Sequence, residues 1–384
     1  MARELWRKAA IVGIAQSGFS KNIGRSERSL AVEVVRNALA EAGLAPEDVD
    51  GLVRFDLENT TEAEIARNLG IPNLRFFAEV GYGGGGGCAT LSLAAMAVES
   101  GRAEVVVCWR ARNRGSGGRP WAGTRMEVGG DQQWYIPWGL VRPVDQIAML
   151  AARHMHEFGT TSEQFGAVAV AFRKHAQRNP HAMMRDPMTI EDHQNSRMIS
   201  EPLRKFDCCL ETDGALAVVV TTPERARNLK QRPVAILGAA QGMGPDHVVM
   251  ANYHKERFLE TPSLFAAREV YAQAGVEPRD IDCAQWYDAF TPLVILSLEE
   301  YGFCKPGEGG PFSENGRLEW PDGALPSNTS GGGLSEAYVH GFNLILEGVR
   351  QMRGTSTCQV EDAELCLVTS GGGVPTSAAI LART

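Results

Sequence analysis

Three glycine-rich segments have the composition expected of loops that hold a reactive oxygen atom. They are Gly83–Gly87, which precedes Cys88, and the loops Asn328–Gly333 and Ser370–Gly373. Because glycine has no Cβ atom, a backbone N–H in such a loop can approach a ligand oxygen and stabilise negative charge on it. Glycine also closes strands without any ligand, which explains a single loop equally well. Three such loops in one chain favour a binding role.

The cysteines and histidines argue against a bound metal. No two of the eight cysteines form a CxxC pair, and their apolar surroundings indicate reduced thiols that lie mostly in the core. His154 and His156 are two residues apart in a helical stretch, so their side chains point about 200° apart and cannot share one ion. We therefore expect no metal and no cofactor bound to this chain.

Charge and hydropathy exclude two classes of partner. The formal net charge is -8 and the isoelectric point is near 5.6, whereas a nucleic-acid surface needs clustered excess Lys and Arg. No apolar run approaches the roughly 18 residues that a membrane-spanning helix requires. We expect a soluble, cytoplasmic protein without nucleic-acid or membrane partners. With 384 residues, 44% of them apolar, the chain is long enough for two sizeable cores.

An internal repeat supplies the elements that must position these loops. A short apolar strand, an amphipathic helix that ends at glycine, a short segment with a Pro and an Asp, and a second buried strand each occur twice. The matching segments are Ala10–Gln16 with Ala235–Gln241, 30–43 with 264–275, 44–50 with 276–282, and 103–107 with 363–368. Agreement over successive elements indicates two similar halves.

Alternating short strands and amphipathic helices predict an α/β fold. The repeat predicts an N-terminal half, 1–230, and a C-terminal half, 231–384. The segment from about 112 to 204 has no counterpart in the second half, and we interpret it as an insertion that covers the site. This duplicated arrangement resembles the thiolase fold, which implies a five-layer α-β-α-β-α architecture.

Four motifs carry a resemblance to the thiolase superfamily, in its sterol-carrier-protein and lipid-transfer-protein thiolase-like group. Tyr301–Phe312 resembles the GFC-x-x-GEGGPF segment of that group, which is a specific match. Asn328–Gly333 resembles the NxSGG loop, Ser370–Gly373 the closing glycine-rich loop, and Asp213–Ala215 the DGA motif. The resemblance implies oxyanion or substrate contacts at Gly84, Gly331, Gly332, Gly333, Ser370, Gly371 and Gly372.

The chain departs from the thiolase pattern at the nucleophile. A thiolase places its acylated cysteine at the N-terminus of a buried helix, where backbone N–H groups lower the thiol pKa. Counting back from Gly101, which ends this helix, the family's spacing reaches Gly84, and Cys88 lies one turn too late. Cys88 remains an alternative nucleophile, because the string Cys-Ala-Thr is similar to the sequence around the ketosynthase nucleophile.

Two family histidines are replaced by tyrosines. The HDxF motif appears with Tyr287 in the histidine position, and the GHPxG motif aligns with Tyr338 there. His340 is a competing assignment if the loop shifts by two residues. Asp288 could orient Tyr287 or cap the following helix. The second thiolase cysteine falls on Thr369, whose hydroxyl cannot replace a thiolate at neutral pH.

These replacements predict altered chemistry. Without a thiolate there is no acyl-enzyme, whereas two phenols can transfer protons while glycine loops hold an enolate oxygen. This suits a retro-aldol reaction, and the chain resembles aldolases that remove a steroid side chain as propionyl-CoA and leave a 17-ketosteroid. The resemblance further implies an acyl-CoA substrate, a homodimer, and a partner with a DUF35 domain (OB fold and zinc ribbon), or a hydratase carrying it, in a heterotetramer.

Several alternatives stay open at the level of sequence. The chain could be a thiolase or acyltransferase that uses Cys88, or a non-catalytic lipid or acyl-CoA carrier in which the tyrosines only pack. The stretch Arg110–Arg114 could bind CoA phosphates, although a solvated loop explains it equally well. A phenol that acts as base needs a pKa below its usual value of about 10, and we expect backbone N–H groups of the glycine loops to lower it.

Overall fold

Alternating strands and helices build a mixed α/β fold. The structure is a computed structural model that describes residues 9–117, 129–245, 250, 256 and 258–384. The strands are β1 (Ala10–Gln16), β2 (Gly51–Phe55), β3 (Phe76–Val80), β4 (Val105–Asn113), β5 (Met198–Ser200), β6 (Leu203–Arg204), β7 (Asp213–Thr221), β8 (Val234–Gly242), β9 (Cys283–Gln285), β10 (Leu365–Ser370) and β11 (Thr376–Arg383). The helices are α1 (Glu27–Ala42), α2 (Glu62–Leu69), α3 (Gly87–Glu99), α4 (Pro143–Phe158), α5 (Ser162–Ala176), α6 (Ile190–Gln194), α7 (Pro223–Ala226), α8 (Ser263–Ala274), α9 (Thr291–Glu300), α10 (Gly309–Ser313), α11 (Gly332–Ser335) and α12 (Phe342–Arg353).

Nine of these strands form one sheet in the order β3-β2-β4-β7-β1-β8-β11-β10-β9. At its centre, β1 and β8 are joined by two residue pairs, Ala10 with Ala235 and Ile11 with Val234. The strands on the two sides of this junction correspond, because β2-β4-β7-β1 and β9-β10-β11-β8 each contain one parallel pair followed by two antiparallel pairs. The predicted duplicated α/β fold is therefore confirmed, and β3 is an additional edge strand of the first half.

The helices form three layers, two outside the strands and one between them. Helix α1 packs on β1, β4 and β7, and α8 packs on β8 and β11. Between the two halves lie α3 and α12, each of which contacts strands of both halves. The resulting order is helix, strands, helices, strands, helix, which agrees with the predicted five layers. The N-termini of the two central helices are consequently enclosed by the molecule.

The repeat extends to individual hydrogen bonds. Asp50 accepts the backbone N–H groups of Glu104 and Val105, at 2.8 and 3.0 Å. Asp282, the equivalent residue of the second half, accepts those of Glu364 and Leu365 at 2.8 and 2.9 Å. The helices that precede these aspartates, α1 and α8, both end at a glycine in the left-handed conformation, with φ of 79° and 71°. The matching sequence segments thus make matching contacts.

The boundary between the halves near residue 230 remains a prediction. The predicted insertion, 112–204, begins within β4, includes α4, α5, α6 and β5, and ends with β6; its residues 118–128 lie outside the described part. Within the described residues, no helix has both the length and the apolar character needed to cross a bilayer.

Candidate active site

Tyr287 and Tyr338 meet through their hydroxyl groups. Tyr287 follows β9, and Tyr338 lies in the loop between α11 and α12. Their Oη atoms are 2.5 Å apart, and their ring centroids are separated by 6.1 Å. Tyr287 is buried, with 6% of its surface exposed, whereas Tyr338 is half-buried. The two tyrosines therefore share one hydrogen bond, and Tyr338 occupies its more accessible end.

Side chains from β10 and from the Asn328–Gly333 loop hold the backbone beside Tyr287. The Oγ1 atom of Thr369 accepts the Tyr287 N–H at 2.8 Å, so the residue at the second thiolase cysteine position serves as an anchor. Asn328 accepts the N–H of Trp286 at 2.6 Å and donates to the Trp286 carbonyl at 2.9 Å. Sequence reasoning identified the loop that contains Asn328 but not this pairing, which depends on the fold.

Tyr287 lies between the N-terminal ends of the two central helices. A Cβ atom at Gly84, in the tight turn Gly83–Gly86 before α3, would overlap the Tyr287 Oη. A Cβ atom at Gly341, the N-cap of α12, would lie 2.7 Å from the Tyr287 Cδ2. Any side chain at position 84, including that of a cysteine, is incompatible with Tyr287 where it stands. Both helix ends carry positive partial charge, which favours negative charge developing beside this phenol.

The closing loop lies against the same turn. A Cβ atom at Gly371, whose φ is 87°, would be 2.8 Å from the Cα atom of Gly85. In the part of the chain that the structure describes, the backbone N–H groups of Gly84, Gly371 and Gly372 have no hydrogen-bond acceptor. These three groups are available to bind a substrate oxygen.

The loop at 331–333 differs from the closing loop, because the Asp288 carboxylate already accepts a backbone N–H group there. The Asp288 carboxylate accepts the N–H of Gly333 at 2.7 Å and that of Leu334 at 3.1 Å. The N–H of Gly331 donates to Asn328 at 2.8 Å. The predicted oxyanion contacts are therefore not available from the N–H groups of Gly331 and Gly333. Asp288 holds the start of α11 and does not cap α9, whose N-cap is Phe290, and burial raises the pKa of Asp288 to about 7.

Cys88 is enclosed. None of its surface is exposed, its Sγ donates to the carbonyl of Val368 at 3.5 Å, and the Ser370 hydroxyl donates to that Sγ at 3.3 Å. Ser370 also accepts the N–H of Cys88 at 3.0 Å. Burial raises the pKa of the Cys88 thiol to about 12. The thiol is therefore neutral at physiological pH and has no surface through which to meet a substrate.

His340 contacts an arginine that the sequence analysis assigned otherwise. Its Nδ1 atom lies 2.7 Å from Nη2 of Arg110, and its ring is nearly perpendicular to that of Tyr338, with centroids 5.5 Å apart. Burial, reinforced by the charge of Arg110, holds the pKa of His340 well below its usual range. His340 is thus a neutral imidazole next to the tyrosine pair.

Arg110 belongs to a buried strand. It is fully buried in β4, donates to the carbonyl of Leu57 at 2.7 Å, and lies 3.3 Å from the carboxylate of Glu58. The suggestions of a solvated loop or a CoA phosphate contact are therefore wrong for Arg110. The available signal was a single charged residue continuing the apolar run 105–109, which indicates a paired interior charge.

The described part of the insertion packs on the loop that leads to Tyr338. Arg173 of α5 donates from Nε to the Ser335 hydroxyl at 2.9 Å. Asn179 donates to the carbonyl of Ser330 at 3.0 Å, and the N–H of Met183 donates to that of Glu336 at 2.9 Å. This segment therefore supports the loop.

The GEGGPF segment joins helices instead of contacting the tyrosines. The N–H of Gly309 donates to Glu299 of α9 at 2.9 Å, and His154 of α4 lies 3.0 Å from the same carboxylate oxygen. His154 also contacts Thr160 at 2.7 Å. No group of three or more metal-ligating side chains converges among the residues that are described.

Comparisons with known proteins identify the family of this chain. The family model described as thiolase C-terminal domain-like matches residues 246–383. The chain is 52% identical to a steroid side-chain-cleaving aldolase of Thermomonospora curvata, covering 97% of each chain. It is also 52% identical to the 17-hydroxy-3-oxo-4-pregnene-20-carboxyl-CoA lyase of Mycobacterium tuberculosis, covering 97% of this chain and 99% of the lyase.

Solved structures give the same result. An Ltp2-ChsH2(DUF35) aldolase superposes with a TM-score of 0.94 at 51% identity, over 99% of this chain and 98% of that one. Human mitochondrial 3-ketoacyl-CoA thiolase in complex with CoA superposes with a TM-score of 0.72 at 14% identity, over 99% of both chains, which shows a shared fold.

Proposed function

The chain belongs to the thiolase superfamily, in the sterol-carrier-protein thiolase-like group that includes steroid side-chain-cleaving aldolases, and from this premise we propose that it is a retro-aldolase. Its proposed substrate is a β-hydroxyacyl-CoA with a steroid ring system. Cleavage releases propionyl-CoA and a 17-ketosteroid without a cysteine acyl-enzyme. One observation carries the proposal: the hydroxyl of Tyr287 occupies the space that a side chain at Gly84 would need.

The protonation state of the two phenols restricts the mechanism. Burial raises the pKa of Tyr287 and that of Tyr338 well above the usual range for phenols. The expectation that glycine-loop N–H groups lower these pKa values is therefore wrong for the unliganded protein. Both phenols are protonated near neutral pH, so neither is available as a free phenolate base.

A neutral proton relay satisfies this restriction. The Tyr338 Oη accepts the proton of the substrate β-hydroxyl while it passes its own proton across the 2.5 Å hydrogen bond to Tyr287. Tyr287 donates its proton to Cα as the electrons of the Cα–Cβ bond, delocalised over the thioester enolate, form the new Cα–H bond. The β-oxygen becomes the ketone carbonyl, and both tyrosines end protonated. No net charge enters or leaves the pair.

The assignment of the two tyrosines follows from their surroundings. Tyr287 is the inner residue, and its Oη lies beside Gly84, whose N–H is available for the thioester oxygen together with that of Gly371. The acyl carbon and Cα therefore belong next to Tyr287. Tyr338 lies on the accessible side, where the bulky ring system and its β-oxygen must fit.

The test is a cleavage assay with a 17-hydroxy steroid side-chain CoA thioester, followed by mass spectrometry of both products. We expect equimolar 17-ketosteroid and propionyl-CoA. We also expect kcat to be constant over roughly pH 6 to 8, because a free phenolate base would instead give about a tenfold rise per pH unit below its pKa. Acyl transfer to free CoA with no ketone formed would contradict the proposal and support a thiolase.

Partners are also part of the proposal. The likeness to the Ltp2-ChsH2(DUF35) aldolase supports assembly with a protein that carries a DUF35 domain. Self-association is supported by β3, an edge strand on which Phe77 is 68% exposed, because exposed apolar edge strands are rarely left uncovered. Light scattering of the co-expressed proteins should give a heterotetramer. Phe77→Glu should release heterodimers, and an unchanged mass would contradict dimerisation through β3.

A further inference from the structure

A buried ion pair lies directly behind His340. Arg110 and Glu58 are both without exposed side-chain surface and approach to 3.3 Å. Glu58 further accepts the N–H groups of Ala111 at 2.6 Å and Thr60 at 3.0 Å. The guanidinium contacts His340 through Nη2 and is therefore held between a carboxylate and an imidazole. The attraction within a buried ion pair offsets the cost of removing both charges from water only when the geometry is good and further hydrogen bonds are made.

This contact determines which nitrogen of His340 carries the proton. A guanidinium has five N–H donors and no acceptor, and it remains charged throughout the physiological pH range. At 2.7 Å, Nδ1 must therefore accept from Arg110. The neutral ring then carries its single proton on Nε2. Nδ1 cannot act as a base, because its lone pair is already engaged.

The Nε2 atom of His340 makes no hydrogen bond within the described residues and is not fully enclosed. His340 has 8% of its surface exposed to solvent. Its Nε2 atom does not belong to the set of fully buried polar atoms without a hydrogen-bond partner. Within the described residues, Nε2 has no hydrogen-bond acceptor. The same loop presents the Tyr338 hydroxyl two residues earlier, with the rings 5.5 Å apart. A donor without an acceptor thus lies next to the accessible end of the tyrosine pair.

We propose that His340 is a fixed hydrogen-bond donor that acts from Nε2 on the β-oxygen of the substrate, and that Arg110 is the positioning residue that sets this tautomer. The inference rests on the proposed retro-aldol reaction. As Tyr338 removes the hydroxyl proton, negative charge develops on the β-oxygen before the carbonyl forms. A donor aimed at that oxygen stabilises the charge, and a ring that cannot take up a proton does not compete with Tyr338 for it.

The tautomer is tested directly by nitrogen NMR of the protein labelled with 15N-histidine, in complex with its partner if one is required. The eight histidines are few enough for His340→Gln to identify the resonances of His340. We expect the non-protonated nitrogen to be Nδ1, with no titration between pH 6 and 8. A proton on Nδ1, or a ring that titrates in this range, would overturn the proposal even in an inactive preparation.

The role of Arg110 is tested with Glu58→Gln/Arg110→Met. This double variant removes both buried charges together, because removal of one partner alone would leave an unpaired charge and endanger folding. The matched control is Glu41→Gln/Arg353→Met, which removes a pair that is 2.7 Å apart at the opposite end of α12. We expect only the Glu58/Arg110 variant to shift the His340 signals toward a mixture of tautomers and to lower kcat. Unchanged signals would overturn the assignment of Arg110.

The donor itself is tested by kinetics. His340→Leu should lower kcat about 10²-fold, the usual loss for one oxyanion donor, with little change in KM. His340→Gln, whose amide N–H₂ can reach the Nε2 position, should recover most of that loss. Equal losses for Leu and Gln would overturn the donor role. If Tyr287→Phe abolishes cleavage while His340→Leu does not, this inference fails and the proposed function stands.

Discussion

The two halves place equivalent helices, α3 and α12, with their N-termini close to Tyr287, but the residues at these two helix ends differ. The turn before α3 consists of four glycines, Gly83–Gly86, and presents only backbone. The segment before α12 carries the bulky residues Tyr338 and His340 and then Gly341. A thiolase uses the first position for its nucleophile. Here position 84, before the first helix, is a glycine, and the Tyr287 hydroxyl fills the space that a side chain would occupy.

Glycine at position 84 is therefore a requirement of the Tyr287 position and not only the loss of a cysteine. Tyr287 and a side chain at position 84 exclude each other, because a Cβ atom there overlaps the phenol oxygen. The exchange replaces a nucleophile at one helix end by a phenol pair that both helix ends surround. In the proposed reaction, backbone N–H groups stabilise the negative charge of the transition state and no covalent acyl-enzyme forms.

Removal of either phenol should have the largest effect. Tyr287→Phe and Tyr338→Phe each delete one hydroxyl and almost no volume, so we expect normal folding and a fall in kcat of roughly 10² to 10⁴. The double variant should lose far less than the product of the single losses, because both residues act on one proton path. Circular dichroism and steady-state kinetics check this. Single variants that keep more than half of wild-type kcat would show that the phenols only pack.

Restoring a side chain at the first helix end should have the next largest effect. In Gly84→Ala the new Cβ overlaps the Tyr287 hydroxyl, and the ring is also packed closely against Gly341, so the phenol must shift to make room. We expect kcat to fall at least about tenfold and stability by roughly 1 to 3 kcal/mol. Gly18→Ala is the control, since a Cβ there meets no atom within 4 Å. Equal activity in both variants would contradict the exclusion between positions 84 and 287.

Asp288 holds the start of α11, the short helix before the Tyr338 loop, and its effect on stability depends on pH. Its pKa is raised to about 7 from a usual value of 3.8, so between these values the folded protein holds a proton that the unfolded chain has released. Stability from this group is therefore complete below pH 4 and is lost as the pH rises through about 7. The Tm of the wild type relative to Asp288→Asn should fall over this range and level off above it. A constant difference would place the Asp288 pKa near its ordinary value.

The smallest effect is expected at Cys88. Cys88→Ala should keep kcat within about twofold of wild type, because a buried neutral thiol forms no acyl-enzyme. Loss of its packing should lower stability by roughly 1 kcal/mol. Intact-mass spectrometry after incubation with acyl-CoA should detect no covalent adduct on either protein. An acylated wild type together with an inactive, folded Cys88→Ala would restore the thiolase interpretation.

The features that could be predicted from the sequence are those encoded locally or periodically along the chain. The repeated strands, the helices ending at Gly43 and Gly275, and the family were predicted and are confirmed. These features are local or periodic, and glycine at a helix end is required by the backbone itself. The match of two relatives named as an aldolase and a lyase agrees with the predicted chemistry. The catalytic roles of the two tyrosines remain predictions.

Reasoning from sequence failed where side chains meet across long distances. Arg110 and His340 are 230 residues apart, and their contact has no local signal. The GEGGPF segment identified the family most specifically, yet within the described residues it bonds to α9 and makes no hydrogen bond to either tyrosine. The pKa of Tyr287 was expected to fall, but burial of the phenol between two halves of the molecule raises it.

Periodicity, spacing and residue identity are properties of the chain. They were enough to predict the duplicated α/β architecture, the absence of a cysteine at position 84 and the tyrosines at the two histidine positions. Which of these groups touch depends on the folded arrangement. The Tyr287–Tyr338 hydrogen bond, the exclusion between Tyr287 and a side chain at Gly84, and the tautomer of His340 all depend on distances within a few tenths of an ångström. Those distances are set by the close packing of the two halves.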